Sequence, residues 1–144
     1  MKLTVLSGVS GSGKSTLAQS LAGSSTSIIS HDEIRDSYPG LSSDEVTVKV
    51  VRTAGTLLLL GQNVVIDACN LHPHDRLRWE AVAWALDAEL QWIQLETPFA
   101  VCVERDRQRP KPVGEYEIMR QSIAPPCSFP PDASTAGIAE PRHR

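Results

Sequence analysis

The sequence has little of what marks secreted, disulfide-stabilised or membrane-spanning proteins. Its three cysteines, Cys69, Cys102 and Cys127, show no metal-ligand spacing and leave an odd thiol, which favours a reducing compartment. The leucine run at residues 57–60 is too short to cross a bilayer. No apolar signal segment follows Met1. We therefore expect a soluble, cytosolic protein without a membrane partner.

The sequence also lacks a basic excess and internal repeats. It has 144 residues and a formal net charge of −3 at pH 7, with 14 lysines and arginines against 17 acidic residues. This balance does not draw the whole surface to nucleic acid, so a nucleic-acid substrate would need a local cluster of cations. The length fits one domain, which is large enough for a hydrophobic core but small for an α/β enzyme.

One glycine-rich stretch dominates the N-terminal part of the chain. Residues 8–16 lie between an apolar run at residues 3–7 and a helical run at residues 17–22, which is the order of the phosphate-binding P-loop. Loop N–H groups and the helix N-terminus would surround phosphate oxygens, Lys14 would reach the β- and γ-phosphates, and Ser15 would bind Mg²⁺. The motif predicts binding of ATP, or another nucleoside triphosphate, with Mg²⁺. The candidate nucleotide-binding residues are Gly8, Val9, Ser10, Gly11, Ser12, Gly13, Lys14, Ser15 and Thr16.

Short apolar runs alternate with helical patterns along the chain. We predict strands over residues 3–7, 27–30, 62–67 and 89–95, and helices over residues 17–22, 32–36, 42–60, 73–86, 99–107 and 114–123. This alternation predicts a three-layer α/β/α fold, with a parallel sheet and a ligand crevice at the carboxyl ends of its strands. A fifth strand is hard to find after the last helix, so we expect four strands, five at most, and a small helical lid.

The composition divides the chain into two parts. We predict a P-loop kinase domain over residues 1–124. Residues 125–144 are rich in Pro, Ser and Ala without an apolar period, which predicts a loosely ordered tail. Within the domain, we expect Trp79, Trp84 and Trp92 to pack in the core rather than to stack on bases.

An acidic and a basic residue follow the second predicted strand, at the edge where the crevice should lie. Asp32 and Arg35 are three positions apart and share a helix face. A phosphoryl acceptor needs a carboxylate that takes its hydroxyl proton and a cation that holds a substrate phosphate. This pair meets both needs. The residues alone also allow a helix cap at Asp32 and an ordinary surface arginine.

A further carboxylate, Asp67, ends the third predicted strand. This is the Walker B position, from which a carboxylate holds Mg²⁺ through water or contacts a substrate arginine. We expect Ser15 to bind Mg²⁺ together with Asp32 or Asp67 through a water molecule. Asn70 follows closely and would hydrogen-bond near the acceptor. A helix N-cap is the alternative interpretation of Asp67.

Three arginines lie in or just after the helix predicted from residue 99. Arg105 and Arg109 are four positions apart and would point the same way, whereas Arg107 would not. A basic lid that closes over the ATP phosphates would shield the transferring charge and exclude water. The alternative is a solvated helix end in which Glu104 and Asp106 pair locally.

These motifs resemble those of the phage-type polynucleotide 5′-hydroxyl kinases, and the resemblance covers residues 3–123. The matching residues are the P-loop at 8–16, Asp32-x-x-Arg35, Val65-Ile66-Asp67-x-x-Asn70 with Pro73, Arg76 and Trp79, and the run Glu104-Arg105-Asp106-Arg107-Gln108-Arg109 with Pro112-Val113 and Ile118-Met119-Arg120.

The resemblance implies that Asp32 is the general base on a 5′-OH and that Arg35 holds the phosphate on its 3′ side. It also implies that Arg105 and Arg109 contact ATP phosphates and that Asp67 supports the acceptor site. We therefore predict as catalytic residues Asp32, Lys14, Arg35 and Arg109, and as substrate-binding residues Asp32, Arg35, Asp67 and Asn70.

The expected function is ATP-dependent phosphoryl transfer to the 5′-OH end of DNA or RNA, in a bacterial cytosol if the chain is phage-encoded. No phosphatase module with an Asp-x-Asp motif is present, so we expect no 3′-end healing. Two alternatives stay open. One is a small-molecule, nucleoside or nucleotide kinase on the same scaffold, and the other is a module that binds ATP without transferring phosphate. The intact Lys14, Ser15, Asp32 and Asp67 argue against the second.

Overall fold

The computed structural model describes residues 1–123, so the tail predicted over residues 125–144 lies outside the described residues. This part of the chain contains four strands: β1 (Lys2–Ser7), β2 (Thr26–Ser30), β3 (Asn63–Asp67) and β4 (Glu89–Gln94). It also contains six helices: α1 (Lys14–Leu21), α2 (His31–Ser37), α3 (Ser43–Leu59), α4 (Pro73–Ala85), α5 (Phe99–Arg107) and α6 (Glu115–Ser122). The predicted α/β class is therefore confirmed.

The sheet is parallel throughout and has the strand order β2-β3-β1-β4. In the centre, Val5 of β1 lies beside Ile66 of β3 on one side and Trp92 of β4 on the other. Because all strands run in the same direction, their carboxyl ends meet at one edge of the sheet. The residues that end the strands at this edge are Ser7, Ser30, Asp67 and Gln94.

Successive side chains of the strands enter two different cores. On β3, Val64 and Ile66 pack in the larger core with residues of α3 and α4, and Val65 packs in a smaller core with Ala18 of α1. Successive side chains of a strand point to opposite faces of the sheet, so helices are needed on both faces. The predicted three-layer arrangement follows from this alternation.

The helix α4 corrects one expectation about the core. Trp79 and Trp92 are 2% and 1% exposed, as expected, but Trp84 is 64% exposed, so its prediction as a core residue is wrong. α4 buries Trp79 and Ala83. Five residues along a helix correspond to a rotation of about 140°, which turns Trp84 away from the face that Trp79 shares with Ala83.

Two serines determine where the helices near the carboxyl edge begin. Ser42 and Glu45 form a capping box with two hydrogen bonds of 3.2 Å, as the sequence predicts for α3. α2 follows β2 directly, and Ser30 Oγ accepts a hydrogen bond from the Glu33 N–H at 3.3 Å. Since Ser30 is the N-cap, the carboxylate of Asp32 is not used as the helix cap.

None of the helices within residues 1–123 combines the length and the apolar character that crossing a membrane requires. The longest, α3, has 17 residues and buries one stripe, formed by Val46, Val50, Ala54 and Leu58. It is an amphipathic helix of the larger core.

Candidate active site

A cleft of about 620 Å³ opens at the carboxyl edge of the sheet. The P-loop, the start of α2, the end of β3, the start of α4 and the helix α5 contribute to its walls. The structure therefore brings together residues that are distant in sequence. The predicted catalytic and acceptor-side residues that line the cleft are Lys14, Ser15, Asp32, Arg35, Asp67, Asn70, Arg105 and Arg109.

The P-loop turns from β1 into α1 through two glycines with left-handed backbone. Gly11 has a φ of 80° and Gly13 a φ of 101°. A β-carbon on Gly11 would lie 2.4 Å from the carbonyl oxygen of Cys102 in α5. From the segment after β4, Thr97 Oγ1 donates a hydrogen bond of 2.7 Å to the carbonyl of Ser12. The loop is thus shaped by its glycines and supported from outside.

We expect Gly11→Ala to displace the P-loop, lowering the melting temperature and weakening ATP binding by about tenfold or more. The added methyl group meets a backbone carbonyl that cannot rotate away, and the positive φ adds about 1–2 kcal/mol of strain. Differential scanning fluorimetry and ATP titration measure both effects.

Substitutions at two other glycines distinguish the clash with the Cys102 carbonyl from the strain of a positive φ. Gly61 has a φ of 85° with nothing within 4 Å of an added β-carbon, whereas Gly23 has open space and no positive φ. We expect Gly61→Ala to lower only the stability and Gly23→Ala to resemble wild type. Equal losses in Gly11→Ala and Gly61→Ala would show that the Cys102 contact does not constrain the loop.

The start of α1 has the chemistry of an anion site. Within the described residues, no side chain caps this N-terminus and no acidic residue occupies its first turn. α2 and α3, by contrast, have serine caps and two acidic residues each in the first turn. The uncapped N–H groups and the positive end of the helix dipole attract negative charge. The loop and helix therefore fit the phosphates of a nucleoside triphosphate.

Lys14 and Ser15 extend this site toward the sheet. Lys14 is 8% exposed, and its Nζ donates hydrogen bonds of 2.8 Å to the carbonyls of Gly8 and Val9. Ser15 Oγ donates to Asp67 Oδ2 at 2.8 Å, which joins the P-loop to the end of β3. A hydroxyl and a carboxylate are ligands that Mg²⁺ prefers, with phosphate oxygens and water completing its shell. Within residues 1–123, no cluster of three or more His, Cys, Asp or Glu side chains could hold a metal ion.

α2 presents three polar side chains to the cleft, those of His31, Asp32 and Arg35. Arg35 Nη1 donates to Asp32 Oδ1 at 3.1 Å, and Arg35 Nη2 lies 3.0 Å from His31 Nδ1. Because arginine can only donate, Nδ1 of His31 is the acceptor, which requires a neutral imidazole with its proton on Nε2. Burial, and next the charge of Arg35, lower the pKa of His31, in agreement with a neutral ring. Sequence reasoning assigned no role to His31, and only this contact identifies it.

α5 and α6 form a helical hairpin that packs against the P-loop. Arg105 Nη1 donates to the carbonyl of Gly11 at 3.4 Å. Arg105 and Arg109 line the cleft, whereas Arg107 does not and instead pairs with glutamates of α5 and α6 at 3.7 and 3.6 Å. The helical spacing predicts this division. The hairpin corresponds to the predicted helical lid.

A buried carboxylate holds the turn of this hairpin. Asp106 is 2% exposed and accepts hydrogen bonds of 2.9 Å from the N–H groups of Val113 and Gly114. Asp106 is therefore not part of a solvated helix end. At the other end of α6, Gln121 Oε1 accepts a hydrogen bond of 2.8 Å from the N–H of Ser10. The hairpin is tied to the P-loop through this side chain.

Asn70 joins three elements at the wall of the cleft. It is 7% exposed, and its Nδ2 donates to the carbonyl of Leu6 at 2.7 Å while its Oδ1 accepts from Trp79 Nε1 at 3.1 Å. Ser7 Oγ also donates to the carbonyl of Asn70 at 2.9 Å. These contacts connect the ends of β1 and β3 to α4. The sequence also predicts that Asn70 hydrogen-bonds near the substrate that accepts the phosphoryl group, and this stays a prediction.

Sequence reasoning missed two residues that line the cleft, Asp75 and Arg78. Both line the cleft from the start of α4, and Arg78 Nη1 donates to Asp75 Oδ1 at 2.8 Å. The available signal was the repetition of the Asp-x-x-Arg spacing of residues 32–35 after the next strand, β3. This repetition is weak evidence for a site, because acidic residues are common in the first turn of any helix.

A P-loop after β1, a carboxylate at the end of β3 and a helical hairpin that brings arginines to the same cleft define the scaffold of a P-loop kinase. All three surround one nucleotide-sized space at the edge of a parallel sheet. The chain belongs to the AAA domain family (AAA_33), whose model matches residues 3–123.

Solved structures of P-loop kinases share this fold. In the Pnkp1/Rnl/Hen1 RNA repair complex, one chain superposes with a TM-score of 0.72 at 24% identity, covering 83% of this chain and 42% of that chain. A second structure of the Pnkp1/Rnl/Hen1 complex gives a TM-score of 0.64 at 25% identity, covering 72% of this chain and 38% of that one. The chain thus spans about two fifths of the length of these relatives.

Small-molecule kinases are also among the similar structures. The Mycobacterium tuberculosis APS kinase CysC, in complex with AMPPNP and APS, matches with a TM-score of 0.57 at 21% identity, covering 74% of this chain and 69% of that chain. A gluconokinase from Sinorhizobium meliloti 1021 matches with a TM-score of 0.58 at 20% identity, covering 84% and 73%. Comparison with curated protein sequences finds no significant match. These similar structures show the fold of the chain, and the reaction and its acceptor are argued from the site.

Proposed function

We propose that this protein transfers the γ-phosphoryl group of ATP, or of another nucleoside triphosphate, to the 5′-OH end of DNA or RNA. The observation that carries the proposal is the Asp32–Arg35 pair, joined at 3.1 Å and lining the same cleft as the P-loop. A base and a phosphate-binding cation beside a nucleotide site are what an alcohol acceptor with a neighbouring phosphate requires.

On the donor side, the N–H groups of the P-loop and of the first turn of α1 would bind the phosphates of ATP. Lys14 Nζ would exchange its loop carbonyls for oxygens of the β- and γ-phosphates. Ser15 and Asp67 would hold Mg²⁺, which when bound neutralises phosphate charge. Arg105 and Arg109 would stabilise the charge that develops on the transferring group and on the leaving diphosphate.

On the acceptor side, the hydroxyl oxygen attacks the γ-phosphorus while the bond between that phosphorus and the leaving oxygen of ADP breaks. Asp32 takes the hydroxyl proton. Arg35 donates to one oxygen of this carboxylate, and we assign the other oxygen to the proton. His31 orients Arg35 from its second side, so that the guanidinium is held in place for the phosphate on the 3′ side of the acceptor.

The similar structures provide separate support for a nucleic-acid acceptor. One chain of the Pnkp1/Rnl/Hen1 RNA repair complex shares the fold of this chain, with a TM-score of 0.72. The net charge of −3 favours contacts with the terminal nucleotides rather than a long footprint.

A small-molecule kinase is the second candidate. The observation in its favour is coverage. The match covers 69% of the APS kinase chain and 73% of the gluconokinase chain, but only 38% and 42% of the matching chains in the two Pnkp1/Rnl/Hen1 structures. Sulfate, phosphate and carboxylate groups on a small alcohol would also suit Arg35.

A panel of acceptors distinguishes the two candidates. Transfer of labelled γ-phosphate is measured with Mg²⁺ and 5′-OH DNA, 5′-OH RNA, nucleoside 3′-monophosphates, free nucleosides, APS and gluconate. We expect label on the oligonucleotides and the 3′-monophosphates, with free nucleosides at least about tenfold poorer because Arg35 has no phosphate to bind. Label on APS or gluconate with none on any oligonucleotide would establish the second candidate.

We expect Arg35→Ala to remove most of the advantage of a 3′-monophosphate over the free nucleoside. Loss of one charge-assisted contact corresponds to about a tenfold decrease in kcat/KM for the phosphorylated acceptor. Arg52→Ala is the matched control, because Arg52 lies on the exposed side of α3 and outside the cleft. A proportional loss on both acceptors would contradict the assignment of Arg35 to the phosphate.

A further inference from the structure

The spacing Asp-x-x-Arg occurs at two helix starts that face the same cleft. Asp32 and Arg35 lie at the start of α2, directly after β2, and Asp75 and Arg78 lie at the start of α4, after β3. β2 and β3 are neighbours in the sheet. In both pairs the arginine donates through Nη1 to the carboxylate one helical turn before it, at 3.1 and 2.8 Å.

The second pair is more enclosed and its carboxylate is engaged on both oxygens. The side chains of Asp75 and Arg78 are 15% and 30% exposed, against 65% and 54% for Asp32 and Arg35. Asp75 Oδ1 accepts from Arg78, and Asp75 Oδ2 accepts from the N–H of His72 at 3.1 Å. Asp75 is therefore poorly placed to act as a base and well placed to orient Arg78.

The guanidinium of Arg78 retains donors for a ligand. Arg78 lines the cleft, and its hydrogen bond to Asp75 uses Nη1 and not Nε or Nη2. His31 lines the same cleft as both pairs and contacts Arg35 at 3.0 Å. A second cation that is shielded from water and held by a carboxylate suits a second anionic group.

We propose that Arg78 forms a second anion subsite beside Arg35, which binds the second phosphate of a polynucleotide acceptor. Arg35 holds the phosphate next to the nucleoside that carries the reactive hydroxyl, and Arg78 holds the phosphate one nucleotide further. The inference rests on the proposed function and deepens it. It identifies the preferred acceptor as a chain with at least two phosphates on the 3′ side of the hydroxyl.

The test uses two acceptors that differ by a single phosphate. One is a 5′-OH dinucleotide, with one internal phosphate, and the other is the same dinucleotide with a 3′-terminal phosphate. We expect the second phosphate to raise kcat/KM of the full chain by about tenfold, mainly through a lower KM. We expect Arg78→Ala to abolish this gain and Arg78→Lys to retain part of it, because lysine keeps the charge but loses the planar fork.

A binding measurement and a control variant distinguish the loss of a subsite from a folding defect. Affinity for both dinucleotides without ATP is measured by calorimetry, together with the melting temperature of each variant. Arg52→Ala should keep the full gain. In Arg78→Ala, loss of the gain with a wild-type melting temperature supports the subsite.

Two results overturn this inference while leaving the proposed function standing. They are the absence of a gain from the second phosphate in the wild-type chain and an equal loss on both dinucleotides in Arg78→Ala. Failure of the wild-type chain to phosphorylate either dinucleotide removes the proposed function, and this inference with it.

Discussion

Asp32→Ala will bind ATP as the wild-type protein does and will lose phosphoryl transfer by about 10²- to 10⁴-fold. The carboxylate lines the acceptor side of the cleft, whereas the groups assigned to the phosphates belong to the P-loop and α5. Removing a general base therefore slows the chemical step without changing the donor site. Single-turnover transfer to a 5′-OH oligonucleotide, combined with ATP titration by calorimetry, measures the two properties separately.

Two further variants test whether the decrease in phosphoryl transfer reflects the loss of a general base. Asp32→Asn keeps the shape and the contact with Arg35 but cannot take a proton, so it should lose as much activity as alanine. Glu33→Ala is the matched control, because Glu33 is exposed on α2 and lies outside the cleft. Undiminished turnover in Asp32→Ala would remove this residue as the base. A wild-type protein that binds ATP and transfers phosphate to no acceptor would instead be an ATP-binding module.

Lys14→Ala will reduce transfer by about 10²- to 10³-fold, because it removes a cation aimed at the phosphates of the transition state. Lys14 is 8% exposed, so its charge is only weakly screened by water. We expect the loss in kcat to exceed the change in ATP affinity, since the loop N–H groups continue to bind the ground-state phosphates. Steady-state kinetics over a range of ATP concentrations separates the two effects.

The control for this variant is Lys49→Ala. Lys49 lies on α3, where its Nζ is 4.2 Å from the centre of the Tyr38 ring, and it does not line the cleft. It should retain wild-type kinetics. Lys14→Arg should remain impaired even though the charge is kept, because a planar guanidinium does not fit the place of a compact ammonium. Full activity in Lys14→Ala would contradict the assignment of Lys14 to the phosphates.

The sequence was sufficient where local chemistry dictates the structure. The capping box of Ser42 and Glu45 and the glycines of the P-loop each determine a short local segment of backbone. Both segments have the expected conformation. The position of Asp67 was also predictable, because the end of any buried parallel strand lies at the edge where ligands bind. Asp67 ends β3, and Asp32 follows the end of β2. These two strands are paired, and Ser30 at the end of β2 lies beside Asp67.

The remaining features depend on contacts between distant segments, which the sequence does not encode locally. The exposure of Trp84 depends on which face of α4 meets the sheet, and the apolar residues of that helix do not form one stripe. Arg78 and His31 come from two different helices and meet at the same cleft only through the packing of the whole fold. Asp106 looks like one charge among several. It pairs locally with Arg109 at 3.6 Å, but it also accepts hydrogen bonds from backbone N–H groups seven and eight residues away, which its local sequence does not indicate.

The carboxylate of Asp106 also limits where the arginine-bearing hairpin can bend. Its hydrogen bonds to the N–H groups of Val113 and Gly114 restrain the turn between α5 and α6, so we expect the two helices to move together. A movement of both helices away from the P-loop would break the hydrogen bond from the Ser10 N–H to Gln121. The position of the arginine-bearing helices and the hydrogen bonding of a P-loop amide are thus linked through one side chain.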